Sequence, residues 1–217
     1  MIKRYFLTII AFLLLLLGYA VTLTPLVVIG TSLEQQTHLL AFGIWGVLVF
    51  GSLIPFLSMI IRKIWFFRGH GEPVALKMLQ EKLLAVNHGK GPVLVQEKKK
   101  KFIVTWHYAN PQWCELMNRI GMDRLYELHL FFDNATKTVV FSDKNRSLRF
   151  VDCPEKVRTG FIAKPKLFLK VSLGEQWSVD NYTGAEPQDY SFLPGEIKSP
   201  VLGTVLKCGW NVRFSFF

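Results

Sequence analysis

Two long apolar runs near the start of the chain dominate its hydrophobic pattern. One covers residues 5–29 and the other residues 39–61, and neither contains Asp, Glu, Lys or Arg. At about 1.5 Å of rise per residue, each run makes a helix long enough to cross about 30 Å of hydrocarbon. The pattern therefore predicts a two-helix transmembrane hairpin over residues 1–70, with spans at about 5–29 and 39–61.

The charges that flank these runs predict the orientation of the hairpin. Lys3 and Arg4 precede the first run and three basic residues closely follow the second, whereas residues 31–38 between the runs contain no Lys or Arg. Basic residues beside membrane spans stay preferentially on the cytoplasmic side. We therefore predict an integral membrane protein of a cell or inner membrane, with both termini in the cytoplasm.

A cleavable signal peptide is an alternative interpretation of the first run. Lys3 and Arg4 precede an apolar core, and residues 18–20 form a small-x-small cleavage pattern. The apolar run continues through residues 21–29, where a mature chain would turn polar. This continuation favours an uncleaved span.

A group of aromatic and basic residues directly after the second run is typical of a membrane interface. Its members are Arg62, Lys63, Trp65, Phe66, Phe67 and Arg68. Aromatic rings settle at the level of the lipid headgroups, and long cationic side chains reach the phosphates. We predict these six residues, called the collar below, as a membrane-interface site, and residues 69–71 as a hinge to the next domain.

Residues 71–217 combine helical and strand patterns. Apolar residues three and four apart predict a helix that begins near Pro73. Asn110 followed by Pro111 predicts a second helix, because Asn caps a helix and proline suits its first turn. Ser199 and Pro200 predict the start of a third helix for the same reason.

The clearest strand pattern covers residues 124–132. Apolar residues such as Leu128 alternate with Glu127 and His129, which predicts a half-buried strand with those two polar residues on the face opposite the core. A turn at residues 133–137 and a return strand complete a β-hairpin.

Further strands are predicted after a second turn at residues 142–146. One of them covers residues 166–173, with Leu169 on its core face. The predicted fold class is therefore α+β, in which a mostly antiparallel β-meander of about six to eight strands carries two or three packed helices.

Positive charge distinguishes this domain. The chain carries 26 Lys+Arg against 16 Asp+Glu, a net charge of +10, and most of the excess follows the hairpin. The densest cationic run lies at the tip of a predicted strand pair and consists of Lys98, Lys99, Lys100 and Lys101. Because each cation near an anionic leaflet contributes about 1 kcal/mol of binding, we predict these lysines as a candidate anionic-surface site. A solvated turn is the alternative, and nucleic acid is disfavoured because the aromatic residues alternate onto core faces.

The cysteines and asparagines bear on the compartment. The three cysteines are Cys114, Cys153 and Cys208. Their odd number and wide spacing predict no disulfide framework and fit a reducing compartment. Three glycosylation patterns, at Asn134, Asn145 and Asn181, would suit a lumenal domain instead, but turns are rich in Asn, Ser and Thr for backbone reasons.

No residue pattern predicts a catalytic site, a cofactor or a metal site. Cys114 with His107 or His129 could form a thiolate–imidazole dyad, although nothing in the spacing brings them together. The five histidines lack the spacing of a zinc site.

The predicted function is therefore non-catalytic. We expect a two-span membrane-anchored protein whose cytoplasmic domain binds partner proteins or the anionic membrane surface, as an accessory or structural subunit of a membrane assembly. The partners are then the lipid bilayer and other membrane proteins, and an oligomer is compatible with this role. The alternative is a membrane-tethered enzyme that acts on a lipid or amphiphilic substrate near Trp106, His107, Trp113 and Cys114.

Overall fold

The structure divides the chain into two compact units, Met1–Trp65 and Phe66–Phe217. It is a computed structural model, and it describes residues 2–30, 34–89, 91–99, 101–153, 156–160, 162–166, 169–182 and 190–215. The division falls a few residues before the predicted boundary between residues 70 and 71. The part of the lysine-run prediction that concerns Lys100 lies outside the described residues.

The first unit consists of two long apolar helices. They are α1 (Ile2–Gly30) and α2 (Gln35–Ile64), and both are long and apolar enough to cross a membrane. The Tyr19 and Ser52 hydroxyls lie 2.8 Å apart, and the Trp45 indole N–H donates to the Thr22 hydroxyl at 3.1 Å. The Arg4 guanidinium at the start of α1 donates to the Ile64 carbonyl at the end of α2 at 2.6 Å, so the helices run antiparallel, as the hairpin prediction requires.

The second unit is a mixed α+β fold around one eight-stranded sheet. The strands are β1 (Phe66–Phe67), β2 (Val93–Lys98), β3 (Lys101–Trp106), β4 (Arg124–Asp133), β5 (Thr138–Asp152), β6 (Lys156–Thr159), β7 (Lys164–Pro165) and β8 (Asn211–Ser215). The helices are α3 (Leu76–Leu84), α4 (Pro111–Arg119) and α5 (Pro194–Lys207), with 3₁₀ turns at Ala85–His88 and Val179–Tyr182.

The sheet order is β1-β8-β5-β4-β3-β2, and β6 and β7 also pair with β5. Within the described residues, every strand pairing is antiparallel except that of β5 with β8, which is parallel. Leu128 and Leu130 on β4, and Val139 on β5, are fully buried, as are Val201 and Val205 on α5. The predicted α+β class, the antiparallel majority and the core position of Leu128 are confirmed.

Strand β5 runs through residues 142–146, where the sequence predicts a turn. Each residue of β4 pairs with a residue of β5, from Arg124 with Ser147 to Asp133 with Thr138. The turn prediction is therefore wrong, because the backbone of this stretch continues the antiparallel pairing with β4 without interruption.

Helix α5 begins at Pro194, several residues before the predicted start at Ser199 and Pro200. A proline inside a helix leaves the carbonyl four residues earlier without its usual donor. Here that carbonyl belongs to Glu196, and the Tyr182 hydroxyl donates to it at 2.8 Å. This compensation lets the helix continue through Pro200.

The predicted strand at residues 166–173 is also absent from the described part of this segment. Leu169 is only half-buried and Leu173 is 54% exposed. The backbone N–H of Ser172 donates to the Ser199 hydroxyl at 2.9 Å, and that of Trp177 to the Thr204 hydroxyl at 2.6 Å. The segment therefore uses hydroxyls of α5, rather than a neighbouring strand, as its hydrogen-bond partners.

The predicted hinge at residues 69–71 is part of the second unit. The N–H of Gly69 donates to the Asn211 side chain at 3.1 Å, and that of His70 to the Leu206 carbonyl at 2.8 Å. A Cβ on Gly69 would lie 2.3 Å from the carbonyl carbon of Gly209, so this close approach requires glycine. These contacts hold the segment against α5 and β8, and the hinge prediction is wrong.

Cys114 on α4 and Cys153 after β5 form a disulfide, with their Cα atoms 6.3 Å apart. Cys208 is free and buried. The expectation of no disulfide is therefore wrong, because the fold brings together two cysteines that lie 39 residues apart. Disulfides persist in oxidising compartments, so this pair argues against the reducing compartment that the spacing suggested.

Replacing Leu128 with Asp tests the assigned core. The side chain is 0% exposed and its cross-strand neighbour is Asp143, so the new carboxylate would be buried beside another one. Burying an unpaired charge costs on the order of several kcal/mol, against a typical domain stability of about 5–15 kcal/mol. We expect the full-length protein in uncharged detergent to lose its cooperative thermal transition, measured by near-ultraviolet circular dichroism.

The matched control is Leu173→Asp, since Leu173 is 54% exposed. This variant should unfold within a few degrees of the wild type. A Leu128→Asp protein that unfolds as cooperatively as the control would contradict the assigned core face.

Candidate anionic-surface site and the polar network beside it

The lysine run predicted from the sequence lies on the β2–β3 hairpin. Lys98 pairs with Lys101 at the end of the ladder. Lys98 and Lys99 are exposed, and Lys101 is half-buried. The structure therefore gives solvent access to two of the three described lysines, on a tip that a regular antiparallel ladder holds in place.

Lys101 differs from its neighbours because it contacts the sheet. Its ammonium nitrogen lies 3.2 Å from Nδ1 of His129 and 5.9 Å from the ring centre of Phe131. Burial, with the charges of Lys144 and Lys98, lowers the pKa of Lys101. Because an ammonium can only donate, Nδ1 of His129 accepts and the ring proton sits on Nε2.

His129 and Glu127 form the centre of a buried polar network. Nε2 of His129 lies 2.8 Å from Oε2 of Glu127, and both residues are at most 5% exposed. Arg146 donates to the same carboxylate through Nε at 2.6 Å and Nη2 at 3.2 Å, and donates through Nη1 to the Gly160 carbonyl at 2.8 Å. The Glu127 carboxylate thus has hydrogen-bond partners in both His129 and Arg146.

The network changes the protonation of its members. Burial acts to raise the pKa of Glu127, but the hydrogen bonds from His129 and Arg146 and the positive charge of Arg146 outweigh it and lower the pKa to about 2. Burial, with the charges of Lys101 and Lys144, lowers the pKa of His129 despite its bond to Glu127. At neutral pH the carboxylate is therefore charged and the imidazole neutral.

A second buried ion pair lies on the other face of the sheet. Lys198 of α5 is 0% exposed, and its ammonium nitrogen lies 2.5 Å from Oδ2 of Asp143 on β5. The Tyr126 hydroxyl donates to Oδ1 of the same carboxylate at 2.6 Å. The ammonium also lies 4.0 Å from the ring centre of Phe214. This cluster joins α5 to the sheet.

The pattern along the sequence did not indicate either network. Glu127 and His129 were predicted on the polar face of β4, and they share that face, but they are buried there. The one signal available was their spacing, since residues two apart in a strand lie on the same side. Arg146 and Asp143 fell in a predicted turn, so their partners could not be assigned.

The six collar residues differ in their exposure to solvent. Its three cations, Arg62, Lys63 and Arg68, are exposed. Trp65 is buried in the first unit, where its indole donates to the Thr8 hydroxyl at 3.1 Å. Phe67 is buried in the second unit, with its ring centre 5.5 Å from that of Phe214, and Phe66 is half-buried beside it on β1.

Three of the four residues that motivated the enzyme alternative belong to the core or to the disulfide, and the fourth, His107, is half-buried. The rings of Trp106 and Trp113 both pack edge-to-face against Tyr190, and both tryptophans are at most 1% exposed. Cys114 is bonded to Cys153 and so presents no thiolate for a dyad with His107 or His129. Within the described ranges, no group of three or more His, Cys, Asp or Glu residues could hold a metal ion.

Comparison with protein families, with curated proteins and with solved structures finds no match to this chain. The buried acids fix Arg146, His129 and Lys198 in place, whereas Lys98 and Lys99 remain exposed.

Replacing Glu127 with Gln tests the network through its pH dependence. The pKa of Glu127 falls from 4.5 to about 2 on folding, so its charge stabilises the fold above pH 4.5, and that stability is lost as the pH falls from 4.5 to about 2. We expect Glu127→Gln to cost about 3 kcal/mol at pH 7, because the guanidinium of Arg146 loses its carboxylate. We measure the stability of the full-length variant and wild type by thermal unfolding. The difference in their stability should narrow as the pH falls below 4.5.

The control for this comparison is Asp123→Asn. Asp123 pairs with Arg124 at 3.6 Å, but their side chains are 81% and 71% exposed. Exposed ion pairs contribute about 0–1 kcal/mol to stability, so this variant should unfold at the same temperature as the wild type at every pH. A Glu127→Gln deficit that stays constant from pH 7 to pH 3 would show that the carboxylate charge does not stabilise the fold.

Proposed function

We propose that this chain is a two-span membrane-anchored protein whose basic α+β domain binds an anionic surface through its β2–β3 hairpin. The observation that carries the proposal is the exposure of Lys98 and Lys99 at the tip of a regular strand pair. Cations near an anionic leaflet are attracted by its surface potential over about one Debye length, near 8 Å at physiological salt. A protein partner with an acidic face is the other surface of matching charge.

The anchor rests on the two apolar helices. Neither apolar run contains an ionisable Asp, Glu, Lys or Arg, and such residues are the usual mark of ion paths inside membranes. Two helices also enclose no pore by themselves. The pair therefore supports anchoring, or packing against other membrane helices in an assembly, better than transport.

The orientation has opposing indications. The flanking basic residues favour both termini in the cytoplasm, while the Cys114–Cys153 disulfide favours an oxidising compartment for the domain. We retain the cytoplasmic orientation as the proposal, because five basic residues flank the apolar runs and none lies between them.

A labelling experiment decides the orientation. A cysteine introduced at Gln35, the first residue of α2, should react with a membrane-impermeant maleimide added to intact cells. A cysteine at Lys77, an exposed residue of α3, should react only after permeabilisation. The reverse pattern would place the domain on the outer side, where the disulfide and the asparagine patterns would both be expected.

A vesicle experiment tests surface binding. The fragment should begin at Phe66, because β1 belongs to the sheet, and its cooperative unfolding should be verified first. We expect it to bind anionic vesicles at low salt, to be released as salt rises, and to ignore neutral vesicles. Lys98→Gln combined with Lys99→Gln should weaken binding by about 1 kcal/mol per lysine, roughly fivefold each.

The charge-matched control is Lys156→Gln with Arg158→Gln, which removes two exposed cations from β6. Equal weakening by both double variants would contradict a site at the hairpin. A folded fragment that ignores lipid charge at low salt would exclude the lipid surface, and the exposed lysines would then be assigned to an acidic protein partner.

A further inference from the structure

A cavity of about 460 Å³ lies where the start of β4 meets the middle of β5 and the short strand β7. Its lining includes three basic residues, Arg124, Lys164 and Lys166, and two neutral polar residues, Asn145 and Ser147. The volume falls within the range of about 300–1,000 Å³ that is usual for small-molecule sites. The sequence pattern predicts none of these residues as part of a ligand site.

The strand register places these side chains on one face of the sheet. Arg124 pairs with Ser147, and Lys164 pairs with Asn145. Directly paired residues share a face, and so do residues two apart along a strand. Lys166 follows Lys164 at that spacing, and its N–H donates to the Asp143 carbonyl at 2.9 Å, which extends the pairing with β5.

The cavity is electropositive. Asp123 is the acidic residue of the lining. Its Oδ2 lies 3.6 Å from Nε of Arg124, and both side chains are largely exposed. Among the described residues, no carboxylate lies within ion-pair distance of Lys164 or Lys166. Arg146 also lines the cavity, but Glu127 and the Gly160 carbonyl hold its guanidinium. The cavity therefore keeps uncompensated positive charge.

We propose that this cavity binds a phosphate monoester carried on a larger polar molecule. Guanidinium and ammonium groups form charge-assisted hydrogen bonds with phosphate oxygens, and amide and hydroxyl groups add neutral donors. A dianionic group matches the two lysines, and the volume exceeds what inorganic phosphate fills. The inference goes beyond surface binding by the hairpin, since no residue of the hairpin lines the cavity.

Two sources present this chemistry, a phosphorylated lipid headgroup and a free phosphorylated metabolite. The full-length protein should be tested in nanodiscs at low salt. In one arm, glycerol 3-phosphate is titrated into protein in phosphatidylcholine nanodiscs and followed by calorimetry, with glycerol as the uncharged comparison. In the other arm, nanodiscs that contain phosphatidic acid are compared with nanodiscs that contain phosphatidylglycerol, and protection of the cavity lysines from acetylation is measured.

The diagnostic variant is Lys164→Gln with Lys166→Gln, both exposed positions. We expect this double variant to lose at least tenfold in affinity for glycerol 3-phosphate. Two control variants should change that affinity by less than twofold: Lys156→Gln with Arg158→Gln, and Lys98→Gln with Lys99→Gln. Arg124→Gln serves as a second variant should the double variant unfold at a lower temperature than the wild type. The site would be assigned to a lipid headgroup if phosphatidic acid protects the cavity lysines from acetylation, phosphatidylglycerol does not, and Arg124→Gln loses this protection.

Two results would overturn the proposal. One is a wild-type protein that neither binds glycerol 3-phosphate nor shows lysine protection by phosphatidic acid. The other is binding that the cavity variants leave unchanged, or that falls equally in the hairpin variant, because the protein would then respond only to general charge. If the hairpin variants bind anionic vesicles as well as the wild type does, the hairpin proposal fails, but the glycerol 3-phosphate measurement is unaffected. The two proposals are therefore tested separately.

Discussion

The ion pair between Lys198 and Asp143 is the constraint on which the second unit depends. The side chain of Lys198 is 0% exposed, and removing an ammonium and a carboxylate from water costs several kcal/mol per ion unless they meet. Helix α5 can therefore pack on the sheet only in the register that joins these two groups. Because β5 pairs with β4, β6, β7 and β8, that one contact positions the helix against the central strand of the whole sheet.

The same cluster explains why the pair tolerates burial. Both oxygens of Asp143 have partners, the Lys198 ammonium at 2.5 Å and the Tyr126 hydroxyl at 2.6 Å. Burial, opposed by the Asp143 charge, lowers the pKa of Lys198, and burial and the nearby carboxylate raise the pKa of Tyr126. The Phe214 ring lies beneath the ammonium and contributes a cation–π contact.

On the opposite face of the sheet, a buried acid also compensates basic groups. Glu127 holds Arg146 and His129 inside the fold, so those groups are fixed and compensated. The exposed lysines of the hairpin and of β7 lie outside these networks among the described residues. The functional proposals therefore concern the cations that folding leaves accessible, rather than the net charge of the chain.

The sequence by itself determined the elements whose pattern is local. The apolar runs specified α1 and α2, the alternation around Glu127 and His129 specified β4, and Asn110 with Pro111 specified the start of α4. There the Asn110 side chain accepts from the Gln112 N–H. The sequence also placed Lys98 and Lys101 correctly at the tip of a strand pair. In each case neighbouring residues supply the deciding interactions, so the pattern along the chain is sufficient.

Only the tertiary structure decided which polar residues are buried and which segments they hold. Alternation placed Glu127 on the polar face of β4 but could not show that Arg146 would cover it. Likewise Tyr182 satisfies the carbonyl that Pro200 leaves open, so a local helix-start signal was overruled. The disulfide, the pairing of β1 with β8 and the cavity at β7 also join residues far apart in sequence. Burying a charge or an unpaired carbonyl is costly without a partner, and in this domain those partners come from distant strands and helices.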